Sequence, residues 1–469
     1  MAKSFSIGKS RIDLTQGPVF KNLLLFAVPI LLGTVVTQLY NVTDSVIVGQ
    51  FIGADALAAV SAASPVMSII NMFLIGLSTG STVVIAQRAG AADRQGLQQA
   101  LDTVGFLTMV CSVFITVAGL ALSKPLLTLL GTPQGIYQDS FWYLVVVYLG
   151  TTGNMIYQMG SGALRGMGDS TWPFLFLLLC SGLNVVLDIA AVALLHMGVF
   201  GVAAATAVSQ LVSGIGVVLH INRGGYGVRI RLSSLRPEPV QTKRVIGIGL
   251  PAAVQNIGNA IASLCVQSSV NVFGSAFIAA NSIVTKVDDM INIPVIALST
   301  ALCTFVGQNM GTLNLRRIHR GINSSILSLC VLGVGMCALL IGLRGVLPLL
   351  FTSREDVALM ASQGLFIMSF MCLFHGIDRC LVNAMRGAGK SVVPMVTAQF
   401  GAFSRIPLAY FLGVCTGSYL GIFYALLIAS LLRTIAIAVY YYCGGWKRAV
   451  RKFEEQNGLA DAVQPRRPA

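Results

Sequence analysis

Residues 75–90 read IGLSTGSTVVIAQRAG, and residues 296–311 read IALSTALCTFVGQNMG, a related pattern 221 positions later. A second pair of stretches repeats at the same offset, GALRGMGDSTWP at 162–173 and NAMRGAGKSVVP at 383–394. A repeat of this length is typical of a chain built from two similar halves. The sequence therefore predicts one scaffold used twice.

The composition places both halves in a membrane. The chain of 469 residues is 55% hydrophobic and 10% charged, with a mean hydropathy of +0.80. Soluble proteins carry about 25% charged residues, so a soluble globule is excluded. Long apolar runs cross the bilayer only as helices here, because lipid offers the backbone no hydrogen-bond partner. Twelve such runs are predicted at 20–46, 55–82, 97–121, 136–160, 171–195, 199–221, 243–272, 276–306, 320–343, 357–384, 391–414 and 418–443.

Basic residues predict the orientation. With the amino terminus in the cytoplasm, 24 of the 31 Lys and Arg residues fall on the cytoplasmic side and three in outer loops. This bias satisfies the positive-inside rule and places both termini in the cytoplasm. The net charge of +14 is then explained by the basic residues that fix the topology. These residues are spread over seven segments and form no single basic surface, which argues against nucleic-acid binding. Residues 1–19 are polar, so no cleavable secretory signal is predicted.

Six helices per half is an even number, so both halves enter the membrane from the same side. The fold class predicted is an all-α polytopic membrane protein with two parallel six-helix repeats, and with a substrate cavity between them. The predicted domains are an N-terminal lobe, a basic cytoplasmic linker, a C-terminal lobe and a basic cytoplasmic tail, at 1–221, 222–243, 244–443 and 444–469.

Several motifs resemble those of multidrug and toxic compound extrusion (MATE) transporters over nearly the whole chain. They are FAVP at 26–29, YNVTDSVIVG at 40–49, GLSTGS at 76–81, QRAG at 87–90, RGMG at 165–168 and RGAG at 386–389. The resemblance implies two six-helix bundles in a V-shaped arrangement. It also implies drug export driven by inward H⁺ or Na⁺.

Ionisable groups inside a membrane are costly and usually functional. Asp44 lies in the first predicted helix and Asp188 in the fifth, with Asn184 one turn before Asp188 on the same face. Thr206 of the sixth helix would add a hydroxyl. An alternative is that the two Asp residues cap helix ends near the surface. The repeat favours a functional role over a capping role. At the offset of 221, Asp44, Asn184 and Asp188 correspond to Cys265, Arg405 and Ala409, so the scaffold alone does not require this polar set.

The resemblance agrees with this choice. Prokaryotic DinF-like members place coupling residues at positions matching Asp44, Asn184, Asp188 and Thr206. The NorM-like branch uses acidic residues on helices seven and ten, where this chain has Asn259 and His375. Coupling by protonation of the carboxyl groups, with Pro29 as a flexible point, and coordination of Na⁺ by the oxygen set both remain open.

The second half holds its own charged residues in or near spans: Lys286, Asp288, Asp289, Asp378 and Arg405. We expect mainly structural neutralisation, with Lys286 paired to Asp289 and Asp378 paired to Arg405, and lining of the substrate cavity as the second interpretation. A cavity for organic cations needs apolar and aromatic walls. The candidate cavity residues are Tyr40, Met67, Asp289, Met290, Asp378 and Arg405.

The function predicted is secondary antiport at a bacterial cytoplasmic membrane, exporting small cationic or amphipathic compounds as a monomer. No cofactor, metal other than a coupling Na⁺, ATP or nucleic acid is expected. AMRGAGKS at 384–391 nearly fits a phosphate loop, but Ala384 replaces its first Gly and no strand precedes it. Alternatives are a flippase for a lipid-linked saccharide and, more remotely, an intramembrane enzyme, for which His375 lacks an obvious nucleophile.

Overall fold

The structure, a computed structural model, describes residues 11–446, 448 and 450, and these form helices joined by short connections. The α-helices, numbered α1 to α13 in chain order, are Val19–Ile47, Ala54–Gly90, Arg94–Leu129, Gln134–Gly166, Thr171–Ile189, Gly198–Arg223, Pro239–Asn271, Gly274–Gly311, Leu315–Leu343, Glu355–Ser369, Met371–Gly387, Val392–Ala409 and Leu420–Tyr440. Short 3₁₀ turns occur at Leu232–Ser234 and Leu347–Leu350.

Three helices continue into π-helical turns, in which the backbone hydrogen bond spans one residue more than in an α-helix. These turns follow α1, α5 and α12, at Val48–Ile52, Ala190–Leu194 and Tyr410–Val414. The segment Tyr441–Gly445 after α13 is a kink, where Gly444 has a φ of 97°. Pro29, predicted to be a flexible point, lies inside α1, which continues through it as a single helix.

Among the described residues, nine helices are long and apolar enough to cross a membrane. Helices α10 and α11 form a tenth span together, bent by 46° where they meet. Helices α4 and α12 occupy the two remaining predicted spans. The thirteen helices therefore account for the twelve predicted crossings, and the all-α polytopic fold class is confirmed.

The chain divides into two compact units. Among the described residues, unit 1 contains 11–17 and 25–253, and unit 2 contains 18–24 and those from 254 onwards. Helix α7 contributes its first half to unit 1. The predicted boundaries at 221, 243 and 443 stay predictions, and most of the predicted basic tail lies outside the described residues.

The sequence repeat reappears in the backbone of each unit. Ala92 ends the turn after α2 with φ of 53°, and Leu313 has the same φ after α8, 221 residues later. The next residue caps the following helix in both cases: the Asp93 carboxylate accepts from the Gly96 N–H, and the Asn314 side chain accepts from the Arg317 N–H. The repeat therefore fixes helix starts as well as helix number.

Glycines at the ends of α4 and α11 mark equivalent close helix crossings. A Cβ on Gly166 would lie 2.7 Å from the Thr82 carbonyl oxygen of α2, and one on Gly387 would lie 2.5 Å from the Cys303 carbonyl oxygen of α8. Only glycine allows the backbones to approach so closely. Both glycines belong to the RG(M/A)G motifs, so these motifs encode helix packing.

A pair of polar side chains is also duplicated. Asn154 of α4 donates to Asn71 of α2 with a nitrogen–oxygen distance of 3.0 Å. At the equivalent positions of unit 2, His375 Nδ1 of α11 lies 3.0 Å from Asn292 Oδ1 of α8. This contact gives His375 a structural role in holding α11 against α8.

A polar cluster joins the segment before α1 to the connection after α6. The Asp169 carboxylate accepts from the Tyr226 hydroxyl at 2.8 Å, and the Arg11 guanidinium lies 4.4 Å above the Tyr226 ring. His220 Nε2 lies 3.0 Å from the Tyr226 oxygen, and its ring stacks on Trp172. Burial, assisted by the Asp169 charge, raises the pKa of Tyr226 far above its usual range, so the hydroxyl stays protonated as a donor.

Candidate functional site

The four predicted coupling residues lie in unit 1. Asn184 and Asp188 are both fully buried on α5, one helical turn apart. Asp44 of α1 and Thr206 of α6 are half-buried. Asp188 is 17 residues into α5, about 26 Å along the helix axis from its start. The residue therefore lies towards the far end of this span, which continues to Leu194.

The structure brings these side chains together. The carboxyl groups of Asp44 and Asp188 lie within hydrogen-bonding reach of each other. Asn184 Nδ2 donates to Thr206 Oγ1 at 3.3 Å. We call this group of four residues the carboxyl-pair site. Two carboxyl groups in contact require a shared proton or a bound cation, because two adjacent negative charges repel strongly in a low-dielectric environment.

Oxygen atoms of the carboxyl-pair site lack partners. Asp44 Oδ1, Asn184 Oδ1 and both carboxyl oxygens of Asp188 are buried and accept no hydrogen bond from any group in the described part of the chain. Buried polar atoms are nearly always satisfied in native proteins. Four orphaned acceptors in one place are therefore the expected signature of a site for a proton or a hard cation.

Two tyrosines complete the surroundings. The hydroxyl of Tyr40, predicted as a cavity residue, approaches Thr206, and Tyr40 also lies within electrostatic range of Asp44. Tyr143 of α4 lies within electrostatic range of both carboxyl groups. Sequence reasoning missed Tyr143, since nothing in the sequence shows which residues of α4 face α1 and α5. The predicted residue Met67 packs with Tyr143 against the same buried cluster.

The π turns begin just beyond the carboxyl pair. Asp44 is followed four residues later by the turn at Val48–Ile52, and Asp188 two residues later by the turn at Ala190–Leu194. Val48 and Val192, one from each turn, belong to one buried apolar cluster. π turns are frequent at functional sites, and here they couple the ends of α1 and α5 directly.

In unit 2 the predicted ion pairs are wrong. Asp378 of α11 is bound by Arg433 of α13, with Nη2–Oδ2 and Nε–Oδ1 distances of 2.6 and 2.9 Å, and Arg405 forms no ion pair with it. Arg433 lies in an otherwise apolar span, and the sequence does not show which helix it faces. Within the described residues, no contact under 4 Å joins Lys286 to Asp289.

Three predicted residues of α8 lie on the surface of unit 2. Lys286, Asp289 and Met290 are exposed, whereas Asp288 is half-buried and lies within electrostatic range of Arg379 and Arg405. The first three therefore do not share an enclosed site with Asp378. No group of three or more His, Cys, Asp or Glu side chains within the described part of the chain is arranged to hold a metal ion.

Comparison with known proteins fits this architecture. The MatE family model matches residues 29–190 and 251–411, one match in each repeat and together more than half of the chain. The chain belongs to the MatE family. The resemblance seen in the short motifs is thereby confirmed, and the chain is a transporter and not an enzyme.

Relatives of this MatE protein cover it almost from end to end. The probable multidrug resistance protein YpnP of Bacillus subtilis (strain 168) is 28% identical over 445 residues, which is 95% of this chain and 99% of that protein. The probable multidrug resistance protein NorM of Thermotoga maritima is 25% identical over 459 residues, covering 95% of this chain and 97% of that protein.

A solved structure of a MOP superfamily transporter from Pyrococcus furiosus resembles this MatE protein with a TM-score of 0.84. It is 23% identical in sequence and covers 94% of this chain and 98% of that chain. At this identity the likeness shows the fold alone.

Proposed function

We propose that this MatE protein is an ion-coupled antiporter that exports small cationic or amphipathic organic compounds by alternating access. Relatives named as multidrug resistance proteins support the export of organic compounds. The observation that carries the coupling is the carboxyl pair with its four buried, unpartnered oxygens. An ion that enters this site changes the charge of a buried pair and hence the packing of α1 against α5.

Proton coupling is the first form of the proposal. With one proton between them, the Asp44 and Asp188 carboxyl groups form a hydrogen-bonded pair of charge −1. Loss of that proton leaves two negative charges in contact, which separate unless another cation replaces it. The separation moves α1 relative to α5, and the linked π turns transmit that movement to the helix ends.

Sodium coupling is the second form, and the all-oxygen donor set favours it. Hard cations bind carboxylate, carbonyl and hydroxyl oxygens. Asp44, Asp188, Asn184 Oδ1 and Thr206 Oγ1 would hold Na⁺ here, and their orphaned oxygens fit such an ion. Bound Na⁺ supplies the positive charge that allows both carboxylates to stay ionised side by side. Either ion makes the protein DinF-like and not NorM-like in its coupling residues.

The remaining parts of the proposal concern place and assembly. The basic-residue bias supports a bacterial cytoplasmic membrane protein with both termini inside. A working monomer that needs neither ATP nor a cofactor completes the proposal. A lipid-linked saccharide flippase of the same architecture is the alternative, and a lipid-flipping assay on the same vesicles separates the two.

The test uses full-length protein in proteoliposomes, with substrate efflux measured under an imposed pH gradient or an imposed Na⁺ gradient. Asp44→Asn and Asp188→Asn should each abolish gradient-driven export. Asp55→Asn, which changes an exposed carboxylate at the start of α2, should not affect it. Full activity in both Asp44→Asn and Asp188→Asn would falsify the coupling site. The gradient that drives the wild type identifies the ion.

A further inference from the structure

Unit 2 gathers charged side chains from four helices into its interior. They come from α8, α11, α12 and α13, and every one lies within electrostatic range of at least one other: Asp288, Asp378, Arg379, Arg405 and Arg433. The carboxyl-pair site is not part of this set, since all of its residues belong to unit 1.

The charges of this interior cluster do not balance. Both oxygens of Asp378 are used by Arg433, and the two side chains are only 5% and 11% exposed. The Asp378–Arg433 pair therefore carries no net charge. The remaining members are two guanidinium groups, Arg379 and Arg405, facing one carboxylate, Asp288. Of the other charged residues nearby in the sequence, Arg386 donates to Gln255 at 2.8 Å, and Asp289 is exposed.

The guanidinium donors of Arg379 and Arg405 are unused. Within the described residues, neither side chain donates to a protein acceptor or lies within 4 Å of a carboxylate. Their nitrogens are nevertheless not sealed, because none of them is among the fully buried atoms that lack a partner. Each of these nitrogens therefore keeps some accessible surface and is free to donate.

Both arginines lie at membrane depth. Arg379 is eight residues before the end of α11 at Gly387, about 12 Å along the axis, and Arg405 is 13 residues after the start of α12 at Val392, about 20 Å. An uncompensated cation at such depth is costly and marks a functional site. At the equivalent positions unit 1 has Gln158 and Asn184, so the two cations are not a requirement of the repeated scaffold.

From this arrangement we propose that Arg379 and Arg405 form a subsite for an oxyanion group of the transported compound, a carboxylate, sulfonate or phosphate. Guanidinium forks bind such groups through paired hydrogen bonds. The inference rests on the proposed export function. Among the amphipathic compounds proposed there, it favours zwitterions and compounds with an anionic group, because these can place an oxyanion beside the two guanidinium groups.

The experiment measures equilibrium binding to purified full-length protein, with two probes of similar ring structure and opposite charge: fluorescein, an anion, and rhodamine 6G, a cation. Wild-type protein should bind fluorescein more tightly. Arg379→Gln and Arg405→Gln should each weaken fluorescein binding at least tenfold without weakening rhodamine 6G binding. Arg405→Lys, which keeps the charge but loses the fork, should fall between the wild type and Arg405→Gln.

The control is Arg316→Gln, which removes an exposed guanidinium at the start of α9 and should change neither affinity. Unchanged fluorescein binding in Arg379→Gln and Arg405→Gln, or an equal loss for both probes, overturns the proposal. Binding needs no ion gradient. Asp188→Asn should therefore retain fluorescein binding while losing export, which separates failure of this subsite from failure of the coupling mechanism.

Discussion

Arg433 binds both carboxyl oxygens of Asp378, from α13 to α11, at 2.6 and 2.9 Å. The pair is nearly buried, so each charge depends on the other. Removal of one partner from a buried ion pair commonly costs about 3–5 kcal/mol, whereas replacement of both by apolar residues is close to neutral.

Asp378→Asn should therefore lower the thermal unfolding midpoint of the detergent-solubilised protein sharply. The double variant Asp378→Met/Arg433→Met should recover much of the loss, because it leaves no unpaired charge. Tryptophan fluorescence during heating measures the midpoint. A double variant whose loss equals the sum of the losses in Asp378→Met and Arg433→Met, each measured alone, would show that the pair is not energetically coupled.

The close crossing at Gly387 predicts a steric effect. Gly387→Ala places a methyl group 2.5 Å from the Cys303 carbonyl oxygen and 2.8 Å from Val306 Cβ. Overpacking of this kind typically costs about 1–3 kcal/mol, and the unfolding midpoint should fall accordingly. Gly342→Ala is the matched control, since its methyl group would meet no atom within 4 Å. Equal midpoints for the two variants would show that the backbones can separate at no cost.

The Tyr226–Asp169 hydrogen bond predicts a pH-dependent contribution to stability. A hydrogen bond to a charged group contributes about 1.5–3 kcal/mol, so Tyr226→Phe should be destabilised by that order. The pKa of Tyr226 is raised in the folded protein, beyond the value of about 10 in an unfolded chain.

The Tyr226 hydroxyl therefore makes its full contribution to the free energy of unfolding below about pH 10. This contribution declines as the pH rises further, towards the pKa of Tyr226 in the folded protein. Unfolding midpoints of the wild type and Tyr226→Phe, compared from pH 6 to 11, should differ by a constant amount up to about pH 9–10. A gap that is absent at pH 7 would contradict the predicted role of this hydroxyl.

Thr206 predicts a graded effect on coupling. Thr206→Val keeps the side-chain shape but removes the oxygen that accepts from Asn184 Nδ2. Loss of a hydrogen bond worth about 1 kcal/mol corresponds to roughly a fivefold weaker affinity for the coupling ion. Ion titration of efflux in proteoliposomes measures this affinity. Thr206→Ser, which restores the hydroxyl, should behave as the wild type. If Thr206→Val does so as well, Thr206 lies outside the working site.

The sequence predicts well whatever depends on one helix alone. The apolar runs locate the spans, and the four-residue spacing places Asn184 and Asp188 on one face of α5. The repeat predicts equivalent positions, although it does not reveal that RG(M/A)G encodes a tight crossing at Gly166 and Gly387.

Contacts between helices could not be predicted in the same way. Arg433, and not Arg405, reaches Asp378 because α13 packs against α11, and an apolar run does not show which of its faces meets a neighbour. Tyr143 was missed for the same reason. The π turns after Asp44 and Asp188 depend on a shift of one backbone hydrogen bond, which leaves no mark in hydropathy.

The glycine crossings and the π turns occupy opposite ends of the helices in unit 1. Gly166 locks α4 to α2 with no room for adjustment, whereas α1 and α5 end in turns that an α-helix can gain or lose by moving a single residue. In unit 1, α2 and α4 are therefore packed tightly at one end, whereas α1 and α5 finish in π turns at the other. A change in protonation or cation binding at Asp44 and Asp188 therefore acts next to the π turns, at the end of unit 1 that the Gly166 crossing does not hold.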